Sequence, residues 1–536
     1  MPTLNWIGKD AVVNHHLDIQ FHLLKDVPDL SCGESGEGNL IVQGDNLVAL
    51  KTLLPYYAGQ VKCIYIDPPY NTGNEKWIYN DNVNSPLIRE WLGKVVGGEG
   101  ETLDRHDRWL CMMYPRLALL RQLLREDGAI FISIDDNEVQ ALRYLMDSLQ
   151  FQFIATILWQ KVYSPKNSAR HFSEDHDYIL VYAKNADVWR PNLLPRNLDQ
   201  DSAYKNRDND PRGPWKTGDL SARNFYSQGT YEIVCPSGRV IPHPPTGMYW
   251  RVSKEKFLEL DHDRRIWWGK DGNAIPQIKR FLSEVKQGVV PQTMWFYEDV
   301  GHTQEAKKEL LEIIDFVDSE SVFITPKPTR LIERILQIGS NPGDTVLDSF
   351  AGSGTTGHAV LKLNRATPGE PPRHFILVEL EPKVVREITA ERVRRVAGGY
   401  TSTKGERVAA LGGGFRFCEL GEPISVSGKI RETVTFGELA RHVYFTETGE
   451  PLPRERVTNS PFIGACRGVG VYLLYNGILG DKSADGGNVL TRAILAQLPP
   501  YEGQKVVYCA GCLLGQDRLQ AERIIVRQIP YEINVS

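Results

Sequence analysis

Short β-branched runs that end on a polar or acidic residue recur along the chain. They are NLIVQGD (Asn39 to Asp45), VKCIYID (Val61 to Asp67), GAIFISID (Gly128 to Asp135), DTVLDSF (Asp344 to Phe350) and HFILVEL (His374 to Leu380). Near-continuous apolar runs of this length mark strands buried on both faces, as in a mostly parallel sheet. Between them, RWLCMMYPRLALLRQLLRED and TRLIERILQIGS carry helical spacing, so the pattern predicts an α/β fold. FIATILWQ and YILVYAKN read as a strand pair that closes the sheet. Ligands of such sheets gather at the carboxyl ends of the strands, which places Asp45, Asp67 and the loop after Phe350 at one edge.

The pattern breaks from about Asn185 to Asp318, where aromatic, polar and turn-rich sequence such as DNDPRGPWKTGDLSARN and DRRIWWGKDGNAIPQIKR replaces it. Sheet-type sequence returns at Phe323 and runs to about Val396. A glycine-containing stretch, AGGYTSTKGERVAALGGG, then leads to a tail with strands of its own, GVYLLYN and KVVYCAG. Four segments are expected: residues 1–185 and 321–400 as two halves of one domain, 186–320 as an insert, and 401–536 as a C-terminal α/β domain.

Composition adds limits. A chain of 536 residues with 41% hydrophobic content has room for two to four packed domains. A net charge of −5 gives no global field that recruits polyanions, so any nucleic-acid site is a local groove. Eight cysteines, with Cys509 and Cys512 the one close pair, form no disulfide framework, and the N-terminal MPTLNWIGKDAVVNHH has no signal-peptide pattern. A soluble, cytoplasmic protein is the expectation.

VLDSFAGSGTTGHAVLKL reads as strand, glycine turn and helix. Gly352 to Gly357 fit G-x-G-x-x-G, and Glu379 ends the next strand, where an acid can accept ribose hydroxyls. A phosphate-binding NTPase loop is excluded, because His358 stands where Lys and Ser or Thr are required. A nicotinamide dehydrogenase and an S-adenosylmethionine methyltransferase both remain, beside a purely structural turn.

CIYIDPPYNTGNEKW poses the chemical question. Asp67-Pro68-Pro69-Tyr70 is an acceptable tight turn, since Asp and Pro are ordinary turn formers. It also suits a harder task. The exocyclic amino group of a nucleobase is a poor nucleophile, because its lone pair is delocalised into the ring. A carboxylate from Asp67 and a rigidly held carbonyl from Pro68 can accept its hydrogens and favour a tetrahedral nitrogen. Tyr70 then offers a face on which an extruded base can stack.

DPPY together with FAGSG resembles the amino-group DNA methyltransferases, and the order, with the catalytic turn first and the cofactor loop late, resembles their β-class. KTGDLSARN, FYEDVGHTQEAKKEL and ITPKPTRLIERIL narrow the likeness to the modification subunits of type III restriction-modification systems, over roughly Leu40 to Arg395. The resemblance implies a doubly wound, circularly permuted methyltransferase sheet with an inserted target-recognition region, and S-adenosylmethionine as cofactor. It implies that Asp67, Pro68, Pro69 and Tyr70 form the catalytic turn, and that Asp348, Phe350, Ala351, Gly352, Ser353, Gly354 and Thr355 form the cofactor loop. Glu379 then takes the ribose and Asp45 the cofactor's adenine. Thr325, Lys327 and Pro328 sit near its methionine end, and Asp67 touches the methionine ammonium as well as the target amino group. Asp in the first position is similar to N6-adenine enzymes, whereas N4-cytosine enzymes more often begin with Ser, and that activity is the alternative. A subunit that recognises DNA mainly for a helicase-nuclease partner is another.

Duplex DNA would be the substrate, with the adenine rotated out of the stack. Cations beside aromatics in the insert are the candidate contacts: Lys205, Arg207, Arg212, Lys216, Arg223 and, further on, Arg264, Arg265, Trp268 and Lys270, with Trp215 and Trp267 among them. Asn71 and Trp77, after the catalytic turn, are candidates for a segment closing on the flipped base. A lone C-x-x-C is half a zinc site, so no metal is expected. The tail carries no chemical motif; pairing two copies of the chain into a homodimer, holding a helicase-nuclease restriction subunit or extending the DNA groove are its candidate roles.

Overall fold

The computed structural model describes residues 5–33, 38–72, 93–94, 105–165, 168–196, 201–285, 288–316, 325–426, 429–453, 460–475, 478–480 and 487–529. It divides into two compact units, one of Met1–Asn192 with Gln292–Ser536 and one of Leu193–Pro291.

The first unit is organised on a ten-stranded sheet. Its strands are β1 (His22–Asp26), β2 (Leu40–Gln43), β3 (Val61–Ile66), β4 (Leu124–Ile134), β5 (Gln152–Gln160), β6 (His176–Ala183), β7 (Met294–Trp295), β8 (Thr345–Asp348), β9 (His374–Glu379) and β10 (Arg416–Pro423). Across the sheet they run β1-β10-β2-β9-β8-β3-β4-β6-β5-β7. From β10 to β4 every neighbour is parallel. All six residues of β3 are buried, as a strand covered on both faces requires. The expected doubly wound α/β sheet is therefore present.

Two late strands, β8 and β9, lie between the early strands β2 and β3, with Leu347 beside Ile64 and Glu379 beside Gln43. Segments far apart in the chain thus end side by side at the carboxyl edge. The pair expected to close the sheet, β5 and β6, is antiparallel. Beyond it β7 adds a parallel edge strand, too short at two residues to leave a readable pattern. The tail also reaches this sheet, because β10 pairs with β2 and β1. Its predicted strands lie in parallel in a separate four-stranded sheet, Val469–Leu473 against Gln504–Cys509.

Helices that matter for the site are α1 (Asn46–Tyr57), α2 (Arg105–Leu123), α3 (Thr303–Ile313), α4 (Thr329–Gly339), α5 (Thr355–Ala366) and α6 (Ala390–Gly398). Asp45 caps α1, accepting from the amides of Leu47 and Val48 at 2.9 and 3.2 Å. Among the described residues, no helix is long and apolar enough to cross a membrane.

The second unit has little regular structure. Leu220, Ile233, Trp250, Phe257, Ile266 and Trp268 form the centre of its core. Its three-stranded sheet places Gln277–Phe281 between Trp215–Asp219 and Ile266–Trp267.

Candidate active site at the strand ends

Asp67 follows the last residue of β3, where the sheet ends and the proline turn begins. Its Oδ2 is paired with the Lys327 ammonium, which lies 5.1 Å from the centre of the Tyr70 ring. Burial, and after it the Asp67 charge, holds the Tyr70 hydroxyl well above its ordinary pKa, so the ring stays a neutral phenol. The turn is fixed from below: the Trp109 indole, on α2, donates to the Pro69 carbonyl at 2.7 Å. Asn71 then adopts a left-handed backbone (φ 60°), which Asn tolerates better than most residues. Its side chain is 1% exposed and donates to Glu138 Oε1 at 2.6 Å and to the Arg105 carbonyl at 3.0 Å. Asn71 is thus engaged inside the fold, bracing the turn behind Tyr70.

The glycine loop sits one strand away, after β8. Gly352 and Gly354 have φ of 49° and 76°, a conformation available to glycine without a Cβ penalty. Glu379 accepts from the Gly352 amide at 2.9 Å and from the Glu381 amide at 3.0 Å, so the predicted ribose acid also clamps the loop. Asp348 accepts from the Phe350 amide at 3.1 Å and the Thr356 hydroxyl at 2.5 Å. Burial pushes both carboxyls up to about 7, against the pull of these donors. A buried acid of this kind keeps its proton in the folded chain while the unfolded chain loses it near the ordinary aspartate value of 3.8. Stability is therefore greatest below that value and declines as pH rises to about 7. Asp348→Asn cannot titrate. The stability of the parent relative to this variant should fall by up to a few kcal/mol between pH 4 and 7, then level off. Urea unfolding at stepped pH measures it, and a flat difference would contradict the buried-acid account.

Turn and loop face one cavity of about 690 Å³, within the range of sites for small ligands. Asp67, Pro68, Pro69 and Tyr70 line it, with Thr325, Lys327, Asp348, Phe350, Ala351, Gly352, Ser353 and Thr355. Pro328 precedes α4 as its N-cap. Asp45, Gly354 and Glu379 are not among the lining residues, and Asp45 is held by Arg116 at 2.9 Å. A second ion pair, absent from the sequence-based expectations, lines the same cavity: Lys161 at the end of β5 and Asp177 on β6, 2.6 Å apart. Burial raises the Asp177 carboxyl, while Lys161 and Lys327 pull it down.

The model of the DNA methylase family matches residues 61–391, a span that holds both the acid-proline turn and the glycine loop. The chain belongs to this family. It is 33% identical over 74% of its length to the type III restriction-modification enzyme StyLTI Mod subunit of Salmonella typhimurium strain LT2, covering 62% of that protein. It is 31% identical over 76% of its length to the EcoPI Mod subunit of Escherichia phage P1, covering 70% of it. It is 29% identical over 76% of its length to the type II methyltransferase M.KpnI of Klebsiella pneumoniae, covering 98% of that protein. The chain thus spans less than two thirds of the StyLTI subunit.

The residues expected to touch DNA fall into distinct groups. In the second unit Arg212 is paired with Asp210 at 2.9 Å and with Asp263 at 3.1 Å. Arg265 takes both oxygens of Glu284 at 2.6 and 2.7 Å. Trp268 lies in the core and donates to Asp261 at 2.8 Å. These three hold the unit together. Lys205, Arg207, Lys216, Arg223, Arg264 and Lys270 are exposed, and Arg207 lies over the Trp215 ring. Trp77 lies outside the described residues. Cys509 is buried at the end of its strand and Cys512 lies on a short neighbouring one.

Proposed function

We propose that the chain transfers a methyl group from S-adenosylmethionine to the N6 amino group of an adenine in a specific duplex DNA sequence. The observation that carries this reading is that Asp67, Tyr70 and the glycine loop share one cavity. The cavity's donors suit that cofactor: Lys327 is a cation for the methionine carboxylate, Asp67 an anion for its ammonium, and Gly352 and Gly354 let the backbone approach closely. When bound, the cofactor supplies an electrophilic methyl group on a sulfonium leaving group.

The chain's own residues do the rest. Tyr70 stacks the extruded base, and Asp67 and the Pro68 carbonyl accept the two hydrogens of its amino group, turning the nitrogen lone pair towards the loop. Trp109 keeps the turn from rotating by holding the next carbonyl. Asp67 then takes up the proton that the methylated amine gives up. The exposed cations of the second unit supply phosphate contacts that offset the cost of extrusion, a few kcal/mol.

The names of the relatives, Mod subunits of type III restriction-modification enzymes, support a place as the modification component of such a system; a separate helicase-nuclease chain is one partner proposed. A second copy of this chain is the other partner proposed. Eight cysteines, none of them paired, favour the cytoplasm as its setting. The test is direct: incubate the protein with duplex DNA and labelled cofactor, digest to nucleosides and identify the product by mass spectrometry. N6-methyladenine is expected. N4-methylcytosine would overturn the choice of base, and an absence of transfer would overturn the reaction.

A further inference from the structure

Arg392, on α6, has no exposed side-chain surface. Burying a guanidinium costs several kcal/mol unless it is paired and fully bonded, and a packed apolar residue is often as stable or more so. What it touches gives it a use. Its Nη1 donates to Ser353 Oγ at 3.2 Å and to Thr355 Oγ1 at 2.8 Å, both on the glycine loop. Its Nη2 donates to Thr329 Oγ1 at 3.0 Å and to Glu309 Oε2 at 3.2 Å. His358 Nδ1 lies 3.3 Å from the same nitrogen.

Those partners lead straight to the cavity. Thr355 donates onward to the Lys327 carbonyl at 3.2 Å, and Thr329 is two residues beyond Lys327 at the start of α4. Thr329 also donates to Glu309 at 2.6 Å. Glu309 sits on α3, whose cap His302 and first residue Thr303 line the cavity. His358, on α5, is kept neutral by burial and by Arg392, so its ring nitrogen can accept.

We propose that Arg392 is the positioning residue of the cofactor site: it locks the glycine loop against the Lys327 segment and, through Glu309, ties both to α3. Ser353, Thr355 and Lys327 then present one preformed surface instead of three that must be ordered on binding. This rests on the reading of the cavity as an S-adenosylmethionine site.

The experiment titrates S-adenosylmethionine by calorimetry into the full chain as parent, R392M, R392K, E309Q and R392M/E309Q, with circular dichroism and melting to confirm folding. R392M should bind about tenfold more weakly, with kcat at saturating cofactor changed by less than about threefold. R392K should recover part of the affinity, since it keeps a charge but not the fork. E309Q should weaken binding as well, and the double variant should bind no worse than R392M alone. A folded R392M that binds as the parent does, or two substitutions whose effects simply multiply, would overturn the proposal. Should R392M not fold, R392K and E309Q decide it by the same measure, since normal affinity in both would overturn it. A parent chain that fails to bind the cofactor overturns instead the reading of the cavity, and this assignment with it.

Discussion

Asp67→Asn is expected to lower methyl transfer by about 10²–10³-fold while leaving a folded protein that still binds duplex DNA. The substitution keeps the shape of the side chain and reverses part of its chemistry. An amide NH₂ faces the target amino group where a carboxylate would accept its hydrogens, and the group that takes up the product's proton is gone. Lys327 loses its ion-pair partner, although Asp177 still lowers the cost of its charge. Single-turnover incorporation of labelled methyl groups measures the effect, and gel-shift binding supplies the control. Turnover within a few-fold of the parent would rule out Asp67 as the acceptor.

Gly354→Val should abolish cofactor binding, raising Kd by more than about 100-fold, because two penalties fall on one residue. At φ 76° a β-branched side chain is strongly disfavoured. Its Cβ would also meet the Thr389 carbonyl oxygen at 3.0 Å and the Thr389 methyl at 3.2 Å. Relief requires the loop to move, and the Thr389 hydroxyl that donates to the Gly352 carbonyl at 2.6 Å would move with it. Gly398→Ala is the matched control, since a Cβ there meets nothing within 4 Å and φ is unexceptional. Calorimetry distinguishes the two, and normal affinity in Gly354→Val would remove the loop from the site.

The central sheet was legible because strands covered on both faces must be apolar throughout, and such runs stand out without an alignment. The acid-proline turn was legible because two consecutive prolines directly after a buried strand stand out. Charged side chains were the hard part. Arg212 and Arg265 sit beside aromatics just as DNA-facing cations would, yet they spend their charge on Asp210, Asp263 and Glu284. Nothing in AERVRRVAGG separates Arg392, fully buried, from Arg394 and Arg395, which pair with Glu391 on their own helix. Trp109 was hidden differently: inside a helix buried nearly all round it reads as one more core residue, and only its bond to Pro69 reveals a second duty. Lys161 directly follows β5 and Asp177 lies on β6, strands that looked structural, and their meeting depends on the β5 and β6 register.

The placement of β8 and β9 between β2 and β3 has a consequence for biosynthesis. When the ribosome has made the first 340 residues, β3 has one neighbour, β4, and its other edge faces no partner; β2 has neither β9 nor β10. The middle of the sheet closes only after the whole second unit has been translated. Contacts of such long sequence separation form slowly, and open edges of apolar strands invite pairing with other chains in the interval. The arrangement that unites turn and loop in the finished protein therefore leaves the nascent one with open sheet edges until its last central strands emerge.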